Sequence, residues 1–340
     1  MALRMMDGGE IGLPTEKWDV QGAFSDYDVG GGSYMTARNG SYVIRYTSGT
    51  NYGTAEKVFD NQQTWIVGFA VAFPSNSTAN WLLRIIDNAT IQCGLYVTGA
   101  TGDVQFRHGD GTVLATVISG ISAAIWYHIV VKVTIDNSAG AYTIHLNGAE
   151  VASATSVDTQ NSANATADRI YFSAPDRYTC WDDIYIFDGT GLVSNDIPGD
   201  GDLYIVSIMP TADTVDADWT PQGAGAHYVE VDEVPTPDGD TTYVSSNVAT
   251  DLDIYDLGNL PEAAEIYGMQ VYTDLRKEGV GARTCRALLK SAGTISNGAS
   301  VVLGANYVGQ LDVWDTDPAT SVQWLDSAVD ALQVGIEVVS

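Results

Sequence analysis

Between Trp126 and Ile135 apolar side chains fall on every second position: Tyr127, Ile129, Val131, Val133 and Ile135. His128, Lys132 and Thr134 fall between them. A period of two predicts a strand with one buried face. Tyr142, Ile144 and Leu146 repeat the pattern and run into Asn147-Gly148, a pair that favours a tight hairpin turn. Matching the two apolar faces places Ile135 opposite Tyr142 and leaves Lys132 near His145 on the solvent side.

The same reading predicts strands at 41–47, 64–73, 81–87, 92–98, 103–107, 113–118, 126–135, 142–146, 169–174 and 181–187. Turn chemistry such as "HGDGT" and "DNSAG" separates them, and no long helical period intervenes, so the first half reads as a sandwich or barrel. A Gly-, Pro- and Asp-rich stretch, "GTGLVSNDIPGDGD" at 189–202, marks the expected boundary between domains 1–190 and 191–340. Beyond it strands are predicted at 203–209, 227–231, 242–245, 253–257, 265–275, 284–290 and 300–314. A helix is expected over 321–332, where Val322, Leu325, Val329 and Leu332 recur at helical intervals and Thr320 with Gln323 has capping-box spacing.

Charge narrows the function classes. The chain of 340 residues has 43 acids, 15 Lys plus Arg and a formal charge of −28. The first 190 residues carry 19 acids and 10 bases, a net of −9, and the remaining 150 carry 24 and 5, a net of −19. Such a surface repels nucleic acid and anionic membranes, so neither is an expected partner. No apolar run suggests a signal peptide or a membrane span. Cys93, Cys180 and Cys285 are odd in number and lack CxxC spacing, which argues against a disulfide framework or a zinc site and fits a reducing compartment.

Candidate chemistry is sparse. His108, His128, His145 and His227 show no metal-ligand spacing and read as surface or turn residues. Glu230-Val-Asp232-Glu233 begins an E-x-D-x-x-E strand of the kind glycanases use, but the last position is Pro235. An acid and a nucleophile on one strand face are therefore not expected. Oxygen-rich turns at Asp87-Asn88, 109–112 and 196–202 can supply calcium ligands, although turn-forming Asp is commoner. In "WDDIYIFDGTG", from Trp181, alternation puts Asp182, Ile184, Ile186 and Asp188 on one face and Asp183 on the other. Asp182 then enters the edge of the core with the preceding turn, Arg169 or Arg177 as partner, while Asp188 serves the turn. No catalytic, cofactor or metal residue is assigned. Trp18, Trp65, Trp81 and Trp126 are candidates for exposed glycan-binding aromatics.

The stretch Trp126–Ala154, followed by "DRIYFSA" and "WDDIYIF", resembles the laminin-G-like or concanavalin-A-like jelly roll. With "GDLYIVSIMPTAD", "EVDEVPTPDGDTTYVSS" and "DTDPATSVQWLDSAVDALQVGIEV", nearly the whole chain resembles a group of tailed-bacteriophage virion structural proteins. The resemblance implies an all-β chain: an N-terminal jelly-roll β-sandwich, then a second β-rich domain with a short C-terminal helix. It also implies a non-enzymatic virion component of the head or tail that contacts other virion proteins, with glycan contact through the jelly roll as an additional role. A secreted lectin-like module is the alternative. Homo-oligomerisation is expected through the second domain, using 300–314 and the 321–332 helix, and strengthened by salt as like charges are screened.

Overall fold

A computed structural model describes residues 3–340 except 13, 23, 30–34, 47–52, 75–77, 177, 192, 200, 201 and 224. The chain divides into two compact units. The first comprises Met1–Glu10 and Trp18–Ile205, the second Ile11–Lys17 and Val206–Ser340. The Gly- and Pro-rich 189–202 stretch thus belongs to the first unit, and a short piece near the N-terminus belongs to the second.

Among the described residues the first unit contains fifteen strands. They are β1 (Leu3–Asp7), β2 (Val20–Gly22), β3 (Phe24–Val29), β4 (Tyr42–Tyr46), β5 (Thr54–Gln62), β6 (Thr64–Ala72), β7 (Asn80–Asp87) and β8 (Thr90–Val97). The rest are β9 (Val104–His108), β10 (Val113–Ile118), β11 (Trp126–Thr134), β12 (Gly140–Leu146), β13 (Ala149–Val157), β14 (Ala167–Ser173) and β15 (Cys180–Asp188). One sheet has the order β13-β12-β11-β6-β15-β4-β3 with β1 beside β15, and the other has the order β10-β9-β8-β7-β14-β5-β2. Two antiparallel sheets with these crossovers form the jelly-roll sandwich. Rings join the layers: Phe69 of β6 meets Phe172 of β14 edge-on at 5.2 Å, and Phe106 of β9 meets Tyr142 of β12 at 4.9 Å.

The β11–β12 hairpin keeps the expected faces but not the expected register. Tyr142 pairs with Val133, Lys132 with Thr143 and His145 with Val130. Ile135 instead donates its amide to Gln63 O at 2.9 Å, and the Asp136 carboxylate accepts the Ser138 and Ala139 amides, so the turn begins earlier. A two-residue shift preserves the pleat, which is why the alternation survives it.

Gly68 of β6 pairs with Tyr185 of β15, and a Cβ there would lie 2.0 Å from the ring. Tyr185 is buried and stacks on His128 at 5.9 Å. Gly68→Ala must displace this ring, so a loss of about 1–3 kcal/mol is expected in urea unfolding. A variant as stable as wild type would show that the ring is not confined.

In the second unit α1 (Pro14–Lys17) accompanies β16 (Pro210–Ala217), β17 (Thr220–Pro221), β18 (Val244–Ser245), β19 (Leu252–Leu257) and β20 (Met269–Leu275). There follow β21 (Thr284–Ser291), β22 (Thr294–Asn297), β23 (Val301–Val302), β24 (Val308–Trp314), α2 (Asp326–Val329) and β25 (Gln333–Val338). The main sheet has the order β16-β19-β25-β21-β22, with β23 beside β21. Leu289, Trp314, Trp324, Val329 and Leu332 form one core cluster, and Cys285, Leu303, Ile336 and Val338 another.

Four expectations change here. Residues 203–209 form no strand. Residues 227–231 are a 3-10 turn over His227–Glu230, whose His227 and Tyr228 amides donate to the Asp213 carboxylate at 2.9 and 2.7 Å. The 300–314 strand is two strands, β23 and β24. The C-terminal helix is only α2, because Thr320 donates to Asp317 rather than capping, Ser321 has φ +59°, and Trp324 bridges to Ile266 in extended form.

Candidate functional site

Alternation, interrupted by a bulge between Trp81 and Leu83, gives the seven-stranded sheet an outer face unlike the rest of the molecule. Ala55, Leu83, Leu95, Phe106 and Phe172 point into the core and are fully or almost fully buried. Their neighbours must point outward. Register then sets Glu56, Tyr171, Arg84, Gly94 and Arg107 in one row across β5, β14, β7, β8 and β9. Trp81, Tyr96 and Gln105 form the next row on the same face.

The rings and guanidiniums hold one another. The Arg84 Cζ lies 3.8 Å from the Tyr171 ring centroid, and the Arg107 Cζ 4.0 Å from that of Tyr96. Trp81 meets Tyr96 edge-on at 5.5 Å. Arg84 Nη2 donates to Ser173 Oγ at 2.7 Å, and Arg107 donates to Gln105 Oε1 through Nε at 3.0 Å and Nη2 at 2.6 Å. Gly94 is required between them, since a Cβ there would lie 2.1 Å from Leu83 O. The result is a platform of fixed aromatic and guanidinium planes.

Electrostatically the platform stands out further. Arg4, Arg38, Lys57, Lys132 and Arg169 of this unit each reach a carboxylate, Arg169 at 2.9 Å from Glu56. Among the described residues neither Arg84 nor Arg107 has a carboxylate within ion-pair distance, in a chain with 43 acids. The Arg84 Nε is buried without a hydrogen-bond partner, and burial depresses this guanidinium below its ordinary value. It stays charged at neutral pH, as arginine does in proteins.

Of the four tryptophans named from the sequence, Trp81 lies on this face. Trp18 and Trp65 are core residues whose indoles donate to Asp7 and to Ala167 O, and half-buried Trp126 donates to Thr36 O. Sequence reasoning passed over Arg84, Arg107, Tyr96 and Tyr171. Their signal was present in "LLRII", "GLYVT", "VQFRH" and "RIYFS", where the positions between core residues are arginine or aromatic.

The three carboxylates of β15 form a separate cluster. The ladder with β6 slips between Asp182 and Tyr185, and Asp183 has φ +51°, so a bulge breaks the expected alternation. Both Asp182 and Asp183 are buried. Asp182 accepts the Arg38, Asn39 and Asp183 amides at 2.9, 3.3 and 2.8 Å. Arg169 is engaged elsewhere, and Arg177 lies outside the described residues. Asp183, expected on an opposite and tolerant face, accepts from Arg38 Nη1 at 2.6 Å, Asn39 Nδ2 at 2.8 Å and the Ile205 amide at 2.8 Å. Arg38 also pairs with Asp202, which lies 3.4 Å from His128 Nδ1. Asp188 accepts from Arg4 at 2.8 Å and from the Thr190 amide at 2.8 Å.

The oxygen-rich turns are similarly engaged. Asp87 accepts from Asn88, Ser162 and Asn164, Asp110 from the Thr112 amide, and Asp196 from Lys132. No group of three or more His, Cys, Asp or Glu residues among those described is arranged to hold a metal ion. Histidines at 108 and 128 are buried rather than on the surface, because His108 bonds Gln160 O and His128 stacks on Tyr185. His227 Nδ1 lies 2.9 Å from buried Asp253, which also accepts from Tyr255 OH at 2.8 Å. Glu230 ends a 3-10 turn, so the E-x-D-x-x-E residues do not alternate on a strand. None of the three cysteines is in a disulfide, all three are buried, and burial pushes the Cys285 thiol up to about 11. No described helix is long and apolar enough to cross a membrane.

No protein-family model matches the chain, and no curated protein matches it. Among solved structures it is similar to a Trypanosoma rangeli sialidase in complex with 2,3-difluorosialic acid, with 11% identity and a TM-score of 0.33 over 43% of this chain and 25% of that one. It is also similar to the alginate lyase Aly36B, with 15% identity and a TM-score of 0.32 over 43% of this chain and 82% of that one. The chain therefore spans about a quarter of the sialidase's length.

Proposed function

We propose that this chain is a non-enzymatic structural component of a bacteriophage virion, and that its jelly-roll unit contacts surface glycan. The sequence resemblance supports the particle setting. The observation that carries the glycan contact is the row of half-buried rings and guanidiniums on the outer face of the seven-stranded sheet. Pyranose rings present flat C–H faces that pack on such planes, and their hydroxyls accept from guanidinium edges. Trp81→Ala and Tyr96→Ala are each expected to weaken binding on a glycan array at least tenfold, with Lys132→Ala as a neutral control. Loss of none of the binding in both variants would remove this face from the reading. Purified particles should contain the protein at a fixed copy number, and polysaccharide panels should show no turnover above a denatured control. Turnover abolished by the Tyr96 or Tyr171 substitutions would make the face an active site instead.

Assembly through the second unit is part of the same proposal. Val302, Val322, Leu325 and Ile295 are all well exposed there, and their burial between copies would offset the charge of −19 over residues 191–340. Light scattering of the full chain is expected to show larger species as salt rises. A monomer at every salt concentration would refute it.

A further inference from the structure

We infer that the ligand of this face is an extended carboxylated polysaccharide, a polyuronate, whose carboxylates on alternate sugars are taken by Arg84 and Arg107. The inference rests on the glycan-contact reading and adds the charge and spacing of the ligand.

Three observations carry it. First, both arginines lack a carboxylate partner among the described residues, while five other bases of the same unit each have one. Glu56 acts on Arg84 only from beyond ion-pair distance, so an acidic chain that leaves two guanidiniums of one row without a salt bridge presents a site for an anion from outside. Second, both guanidiniums lie over tyrosine rings, with Cζ 3.8 and 4.0 Å from the centroids, and Gln105 holds Nε and Nη2 of Arg107, so its Nη1–Nη2 edge is the one left to meet a carboxylate. Third, Arg84, Gly94 and Arg107 are register partners on three adjacent strands. The two arginines are thus two strand spacings apart, about 10 Å at their backbones. A flat, extended 1,4-linked chain brings carboxylates to the same side on alternate sugars, at a comparable repeat. The side-chain-free gap at Gly94 leaves room for the intervening sugar.

The charge of −28 does not forbid this. At physiological ionic strength charges are screened beyond about 8 Å, so the two arginines and their neighbours set the potential at the face. Glu56, the acid in the same row, is already neutralised by Arg169 at 2.9 Å.

The experiment is calorimetry or biolayer interferometry of the full-length chain at 0.15 M salt, about the ionic strength of that screening length. The probes are hexamers of β-1,4-mannuronate, α-1,4-galacturonate and β-1,4-glucuronate, each with its carboxyl-reduced counterpart, and a sulfated galactan. At least one uronate is expected to bind, with its reduced form at least tenfold weaker. Arg84→Gln and Arg107→Gln should each lose about tenfold, and Arg107→Lys should recover only part, because it restores charge without the fork. Circular dichroism and the unfolding midpoint of each variant control for folding, and the Arg107 variants suffice if Arg84→Gln unfolds. Equal binding of charged and reduced forms, insensitive to the arginines, would overturn the carboxylate inference and leave the glycan contact standing. Preference for the sulfated chain would overturn it in favour of sulfate. Failure of every probe, together with an empty glycan array, would overturn both.

Discussion

Asp183→Ala is expected to destabilise the first unit by about 3–5 kcal/mol, the usual result of stripping one partner from a buried ion pair. For a domain of this size that is a fall in the unfolding midpoint on the order of 10 °C. All three groups that meet the Asp183 carboxylate are donors: Arg38 Nη1, Asn39 Nδ2 and the Ile205 amide. Only an acceptor on both oxygens satisfies them. The backbone adds a second demand, since φ is +51° and Asp or Asn tolerates the left-handed region better than Ala. Asp183→Asn keeps that preference but turns an NH2 against a donor, so it should fall between wild type and Ala. Urea unfolding of the three proteins, following the transition of the first unit, measures this. An Ala variant within about 1 kcal/mol of wild type would show that the cluster holds no such stability.

The neighbouring Asp182 makes stability depend on pH with an unusual sign. Burial first, and then the Asp183 charge, push Asp182 up to about 8; burial also raises Asp183, against the pull of the Ile205 amide and Arg38. The folded state therefore keeps a proton that the unfolded chain gives up near its ordinary value of 3.8. Stability falls as pH rises wherever the folded form binds more protons. The contribution of this pair is complete below about pH 4 and is lost progressively up to about pH 8. His108 adds the same sign, because Asp110 and Gln160 O raise it although burial opposes them. Asp60, Asp110, Asp136 and Asp196 are lowered, mainly by Arg4, the Thr112 amide, the Ala139 amide and Lys132 respectively, and these act in the opposite sense below the ordinary carboxylate range. Maximum stability is expected in mildly acidic solution, with a steady decline toward pH 8. Asp182→Asn should flatten that decline. A wild-type midpoint that is level from pH 5 to pH 8, or an equal slope in the variant, would overturn the assignment.

Alternation made most of the sandwich legible. Residues 126–134 are a strand because Tyr127, Ile129, Val131 and Val133 recur every second position, while 113–118 reads as a strand by its Val and Ile content and not by alternation. The method failed where backbone groups are satisfied outside a ladder. "LYIVSIM" at 203–209 is an apolar run rich in strand-favouring residues, yet the Ile205 amide is taken by a side chain, Asp183, and no strand forms. The bulge at Asp183 was hidden for the converse reason: each carboxylate fits either face of a regular strand, and only the distant Arg38 and Asn39 distinguish them. β16 was not expected, because with Pro210, Asp213 and Asp216 it offers only Val215 as a large apolar residue. The arginine platform was half-legible. Each outward residue is visible from its own strand, but the row exists only through the register of β5, β14, β7, β8 and β9, which no local pattern states.

The assignment of Ile11–Lys17 to the second unit has a consequence for synthesis on the ribosome. Glu16 accepts a hydrogen bond from Tyr272, Gly12 donates to Pro235 O at 2.8 Å, and a Cβ on Gly309 would strike the Glu16 side chain. These partners are translated hundreds of residues after the segment has emerged. At 5–20 residues per second the piece waits roughly 15–60 s for the strand carrying Gly309. Once Ile205 has emerged the first unit can close around Glu10 and Trp18, leaving the seven intervening residues without these partners until Gly309 has been made. Ile11–Lys17 is therefore settled only when the strand that carries Gly309 has been made, long after the residues that flank it in the first unit.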